Sequence, residues 1–118
     1  MATISQEHLR KKNPGILLKT PMLIVVFLIL SGCSNPEMEL GEQVFKGTCK
    51  ACHAGGLNGA PIYGNKRMWA KRLPQGIPVL VEHASSGYGL MPAKGGNTNL
   101  TEQEITAAVK FMVSKVAE

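Results

Sequence analysis

Five consecutive residues, Cys49-Lys50-Ala51-Cys52-His53, restrict this chain more than anything else in it. A C-x-x-C-H run sets two thiols along one helical turn, where they can add across the two vinyl groups of a haem, and puts an imidazole next to them to meet the iron. The rest of the chain must then wrap around a flat, mostly apolar group. Two other chemistries use paired thiols. A thioredoxin-like dithiol belongs beside a βαβ pattern, and no strand-like alternation surrounds this pair. Structural zinc needs a closed ligand set, which here only His53 and His83 could complete, since no Cys follows Cys52.

A sixth iron ligand is expected well downstream, where the chain returns to the far face of the haem. Met91 is the candidate, in Gly87-Tyr88-Gly89-Leu90-Met91-Pro92. Glycines there permit a tight turn, and the proline fixes the exit direction. Met112 falls on a helical stripe, Met68 adjoins Trp69, and Met38 precedes the first helix, so each of these has a structural explanation. His83 is the competing ligand. It follows Val79, Leu80 and Val81 in a helix-like segment, where an imidazole more often sits on a partly exposed face.

The pattern around these residues is helical throughout. Glu39 to Ala51 reads as a first helix, with Leu40 and Val44 one turn apart, and Gly41 within it predicts a close crossing by another backbone. The crossing partner is the last helix, which Thr101 and Glu104 open as a capping box and which carries Ile105, Ala108, Val109, Met112 and Val116 as one apolar stripe flanked by Phe111. Asn65 to Leu73 and Ile77 to Ser85 read as two shorter helices separated by Pro74-Gln75-Gly76. Pro61, eight residues after His53, can offer its carbonyl to the ring N–H of that histidine and so set its tautomer. Trp69, the single tryptophan, suits either plain packing or cover for a haem edge with its N–H on a polar partner such as a propionate.

The front of the chain is an address. Arg10, Lys11, Lys12 and Lys19 precede Met22 to Leu30, nine unbroken apolar residues, and Leu30-Ser31-Gly32-Cys33 closes the run. That is a secretory signal, too short for the roughly 20 residues of a spanning helix. The boundary resembles the lipobox of bacterial lipoproteins, which implies that residues 1–32 are cleaved and that Cys33 is lipidated, with residues 33–38 as a short tether. The alternatives for these residues are a permanent transmembrane helix and a free Cys33 thiol. From Cys33 onward nine basic residues face seven acidic ones without a basic tract, so nucleic acid is not expected as a partner.

Taken in order, Gly41 to Phe45, the C-x-x-C-H run, Ala60-Pro61, Trp69 and Met91-Pro92-Ala93-Lys94-Gly95-Gly96 resemble the class I c-type cytochromes, most closely the cytochrome c5 type. The resemblance implies an all-α domain over residues 39–118, with four or five short helices around one covalent haem c. It implies Cys49 and Cys52 as haem-linking thiols, His53 and Met91 as axial ligands, and Pro61 orienting His53. Asn97 and Leu100 stand where some members of that family carry a Cys pair before the last helix. With both axial positions filled, the expected function is single-electron carriage between redox proteins, tethered by lipid on the periplasmic side of a bacterial membrane, and no catalysis. An electron-input subunit of a membrane oxidase or reductase is the alternative, and a haem peroxidase or sensor a further one. Replacing Cys33 by Ala is expected to release a soluble, haem-containing form, and fractionation of membranes from supernatant without detergent checks it. Retention of an uncleaved variant in the membrane defeats the lipoprotein reading.

Overall fold

The computed structural model describes residues 35–117, so Cys33 and the apolar run before it lie outside the described residues. Helix α1 spans Pro36–Val44 and opens on Asn35, whose side-chain oxygen accepts from the Glu37 N–H at 3.0 Å. Pro36 occupies the first helical position, where a missing N–H costs nothing, and Glu37 and Glu39 sit against the positive end of the helix. The helix therefore starts earlier than the expected Glu39. Residues 36–38, expected as tether, form its first turn because Asn-Pro here is a cap followed by a favoured first residue rather than a linker.

The helical path does not stop at Val44. A π-helical turn, Phe45–Cys49, follows, closed by the Lys50 N–H on the Phe45 carbonyl five residues back, and helix α2, Lys50–His53, continues from it. The residues expected as one regular helix to Ala51 are thus helical but widened just before the first thiol.

The middle of the chain is more broken than its pattern suggests. Helix α3 covers only Lys66–Trp69, capped by Asn65, whose side chain accepts from the Met68 N–H at 3.2 Å. Instead of continuing to Leu73 it gives way to a turn and a 3₁₀ segment, Leu73–Gln75. Pro74 explains this, since its ring would collide with the carbonyl four residues earlier and it has no N–H to give. Helix α4, Gly76–Ser86, holds Pro78 harmlessly in its first turn and ends at Gly87, whose φ of +88° reverses the chain. A side chain at Gly87 would also press on the next loop, its Cβ 3.0 Å from the Ala93 nitrogen.

Helix α5, Glu102–Ser114, begins as expected. The Glu104 carboxylate accepts from the Thr101 N–H at 2.8 Å while the Thr101 hydroxyl oxygen accepts from the Glu104 N–H at 3.3 Å. The Thr101 N–H foremost, and then the Thr101 hydroxyl, which donates to the same carboxylate at 2.7 Å, hold the Glu104 carboxyl below the usual carboxylate range. Ile105, Ala108, Val109, Met112 and Val116 are all buried on the predicted stripe.

Helices α1 and α5 cross where Gly41 meets Ala107, which is 0% exposed. A Cβ on Gly41 would lie 2.7 Å from the Ala107 carbonyl carbon and 2.8 Å from the Phe111 Cβ. Beside the crossing, Phe111 stacks on Tyr63 at 5.4 Å between centroids and tilts against Phe45 at 5.7 Å. Phe45 and Tyr63 meet at 4.6 Å. The Glu37–Lys110 ion pair, at 2.7 Å, bridges the same two helices at the surface, where such pairs contribute little.

Among the described residues the architecture is all-α, with a single bridge between Tyr88 and Met91 in place of any strand. No helix among them is long and apolar enough to cross a membrane. None of their large side chains is completely covered, because the core surrounds a hollow rather than filling itself. Gly41→Ala is expected to force the α1/α5 crossing apart and to destabilise the haem-loaded protein by about 1–3 kcal/mol, the usual range for overpacking. Urea unfolding followed by circular dichroism checks this, and an unchanged midpoint contradicts the crossing.

Candidate cofactor site

The hollow is a cavity of about 300 Å³ among the described helices and loops. Cys49, Cys52 and His53 line one side of it, and Met91 lines it from the loop after α4. Leu80, Leu100, Ile105, Val109 and Met112 supply apolar walls. Residues far apart in sequence thus meet around one apolar space, with a thioether, an imidazole and two thiols as its chemically distinctive groups.

His53 is buried at 7% exposure, and its Nδ1 lies 2.9 Å from the Pro61 carbonyl oxygen. A carbonyl only accepts, so Nδ1 carries the proton and donates, which leaves the Nε2 lone pair free to bind a metal. The expected partnership of Pro61 with His53 is present in the fold. A second bond pins the same return of chain, with the Tyr63 N–H donating to the His53 carbonyl at 2.8 Å. Between the two, Gly56, Asn58 and Gly59 take positive φ, so the loop folds back tightly enough to bring Pro61 under the ring.

The thiols of Cys49 and Cys52 are half-buried and not joined to each other. Burial pushes the Cys49 thiol up; a backbone hydrogen bond opposes this, and the neighbouring Cys52 adds to it.

Trp69 is buried and lines the cavity, its ring centroid 6.5 Å from that of His53. Its indole N–H does not wait for a cofactor. It donates to the Ile62 carbonyl at 2.9 Å, a polar partner supplied by the chain leaving Pro61. Arg72, which sequence reasoning did not single out, also lines the cavity while donating to the Met68 carbonyl at 2.7 Å.

Met91 stands at the end of a two-residue turn. The Tyr88 and Met91 backbones exchange two hydrogen bonds, each 3.0 Å, around Gly89 and Leu90. His83, the competing ligand, also lines the cavity, and its ring stacks on Tyr88 at 4.0 Å between centroids. The pairing and the stack were not legible, because a two-residue turn carrying glycine first reads only as a loop until its flanks are known to face each other.

Residues 36–112 match the family described as cytochrome c oxidase, cbb3-type, subunit III. The chain is 42% identical over 88 residues to cytochrome c-555 of Prosthecochloris aestuarii, covering 68% of this chain and 89% of that one. This chain is a class I c-type cytochrome. It is 34% identical over 74 residues to cytochrome c5 of Azotobacter vinelandii, covering 61% of this chain and 89% of that one, so its resemblance extends beyond the c5 type to the c-555 proteins. Its fold is similar to a chain in the crystal structure of an electron transfer complex of nitrite reductase with cytochrome c, with a TM-score of 0.62, 38% identity, and coverage of 65% of this chain and 94% of that one.

The cytochrome is a small electron carrier, and its cofactor is one covalently bound haem c. The residues present fit that group. The cavity is apolar, its buried imidazole is oriented with a free lone pair, and two unpaired thiols stand beside it. Trp69→Phe should keep the ring in the wall and lose its bond to the Ile62 carbonyl, which still accepts from the Asn65 N–H at 3.0 Å, at a cost of about 0.5–1.5 kcal/mol. Thermal unfolding of the haem-loaded protein measures it, and a neutral substitution would mean that the indole bond adds nothing to what the Asn65 N–H already supplies.

Proposed function

We propose that this cytochrome shuttles single electrons between redox proteins at a membrane surface. Cys49 and Cys52 form the thioethers to haem, and His53 and Met91 are the axial ligands of its iron. The observation that carries the assignment is the shared cavity, in which an imidazole with its Nδ1 proton committed to Pro61 and a thioether on a separate loop line the same apolar space. Bound there, haem supplies an iron that accepts and gives up one electron. Pro61 holds the imidazole in one tautomer, the aliphatic walls exclude water, and the Trp69 ring shields one edge. A thioether at the sixth position favours the reduced state relative to a second imidazole, and filling both positions leaves no site for oxygen or peroxide.

The tether is part of the same proposal. Residues 1–32 act as a cleaved signal and Cys33 carries the lipid, so the domain works on the periplasmic side of a bacterial membrane. Helix α1 is capped at Asn35, two residues beyond Cys33, a reach of only about 7 Å. A domain held that closely favours donors and acceptors in the same membrane or just above it. The similar chain in complex with nitrite reductase supports a redox enzyme as one such partner. The description of the matched family favours a second reading, an electron-input subunit of a membrane oxidase. Isolation from detergent separates the two, since a subunit copurifies with an oxidase and a carrier does not.

The ligand assignment is tested by Met91→Ala. The oxidised variant is expected to lose the absorption band of a methionine-ligated ferric haem and to bind imidazole readily, whereas Met112→Leu and His83→Ala variants keep both properties of the parent. A parent-like Met91→Ala spectrum, together with a changed His83→Ala spectrum, overturns the assignment.

A further inference from the structure

Met91 belongs to a segment, residues 88–100, whose hydrogen bonds close almost wholly upon themselves. Tyr88 pairs with Met91, the Gly95 N–H donates to the Pro92 carbonyl, and the Leu100 N–H donates to that of Asn97. The Lys94 ammonium reaches the Leu100 carbonyl at 2.7 Å. Among the described residues one hydrogen bond leaves the segment. Asn97 donates through Nδ2 to the Thr48 hydroxyl oxygen at 3.3 Å, across 49 positions of sequence.

Thr48 directly precedes Cys49 on the π-helical turn and lines the cavity, as Gly95 does beside it. Gly95 comes so close, at a φ of +62°, that a Cβ there would lie 3.1 Å from the Thr48 methyl group. The Asn97 amide is not free to turn away. Its Oδ1 accepts from the Asn99 N–H at 3.2 Å, which directs Nδ2 toward Thr48.

We propose that Thr48 and Asn97 are positioning residues for the distal ligand, clasping the Met91 segment to the turn that carries the haem-linking thiols. The proposal rests on Met91 being that ligand. For the Met91 sulfur to leave the iron, the segment must part from the turn. Its internal hydrogen bonds travel with it and resist nothing, whereas the Thr48–Asn97 bond must break. A neutral hydrogen bond of ordinary net strength alters such an equilibrium by roughly three- to tenfold. The clasp therefore keeps the sixth position closed without touching the iron.

The experiment uses the full-length, haem-loaded, oxidised protein and measures by stopped flow the rate at which saturating imidazole displaces the internal ligand. Thr48→Val and Asn97→Ala are each expected to raise that rate by roughly three- to tenfold, and the double variant no further. Thr48→Ser keeps the hydroxyl, and Asn97→Asp keeps the acceptor for Asn99 while accepting a hydrogen bond from the Thr48 hydroxyl, so both should hold the parent rate. Parent-like rates in Thr48→Val and Asn97→Ala, multiplying effects in the double variant, or a Thr48→Ser rate as high as that of Thr48→Val overturn the clasp. A parent protein that takes imidazole without giving up an internal ligand overturns instead the axial role of Met91, on which the clasp depends.

Discussion

Everything in this molecule is arranged around one backbone contact. Gly41 lies against Ala107 so closely that no side chain fits between them, and helices α1 and α5 can cross only because position 41 has none. Beside that crossing lies the cavity. The end of α1 and its continuation line it with Val44, Thr48 and the thiols, and α5 lines it with Ile105, Ala108, Val109 and Met112. A hollow of this kind would be a severe defect in an ordinary small domain, which has little apolar material to spare. Here its lining fits the haem that this family carries, a group that would complete the core. The same contact also explains why so short a chain holds together, since a large planar cofactor then supplies the interior that its own residues do not.

The parts of the structure legible in the sequence are those where one residue type admits one explanation. A glycine inside an amphipathic helix implies close approach, and Gly41 is pressed on Ala107. Thr and Glu three positions apart before an apolar stripe imply a capping box, and Thr101 and Glu104 form one. Two thiols followed by an imidazole imply covalent haem, and the chain belongs to the cytochromes that carry it. What the pattern obscured are the places where a residue serves two geometries. Asn35-Pro36 ends a linker or begins a helix equally well, and only the fold decides that it begins one. Pro74 cuts the helix expected up to Leu73, although the apolar spacing on either side of it continues.

Around the cofactor the same division holds. The pairing of His53 with Pro61 could be anticipated because an imidazole expected to bind a metal through one nitrogen needs an acceptor for the other, and a short loop brings few of them within reach. The partner of Trp69 could not, because a donor in a wall takes whichever carbonyl passes, and the backbone at Ile62 passes first. The stack of His83 on Tyr88 places a further imidazole beside the same space, on the hairpin that presents Met91. It depends on a turn of two residues bringing Tyr88 back over α4, a matter of distance rather than of pattern.

The widened turn at Phe45–Cys49 acts as a phase shifter. Each residue of a helix advances by roughly 100°, so one inserted residue rotates all that follows by about that angle relative to what came before. Gly41 faces α5, while Val44 before the turn and Cys49, Cys52 and His53 at and beyond it line the cavity, so the turn brings residues on both of its sides to the same space. Deleting a single residue between Phe45 and Cys49 would straighten the rod and leave its local hydrogen bonding better, yet swing the thiols off their target. Imperfection in the helix is thus what lets one continuous segment both hold the domain together and face its cofactor.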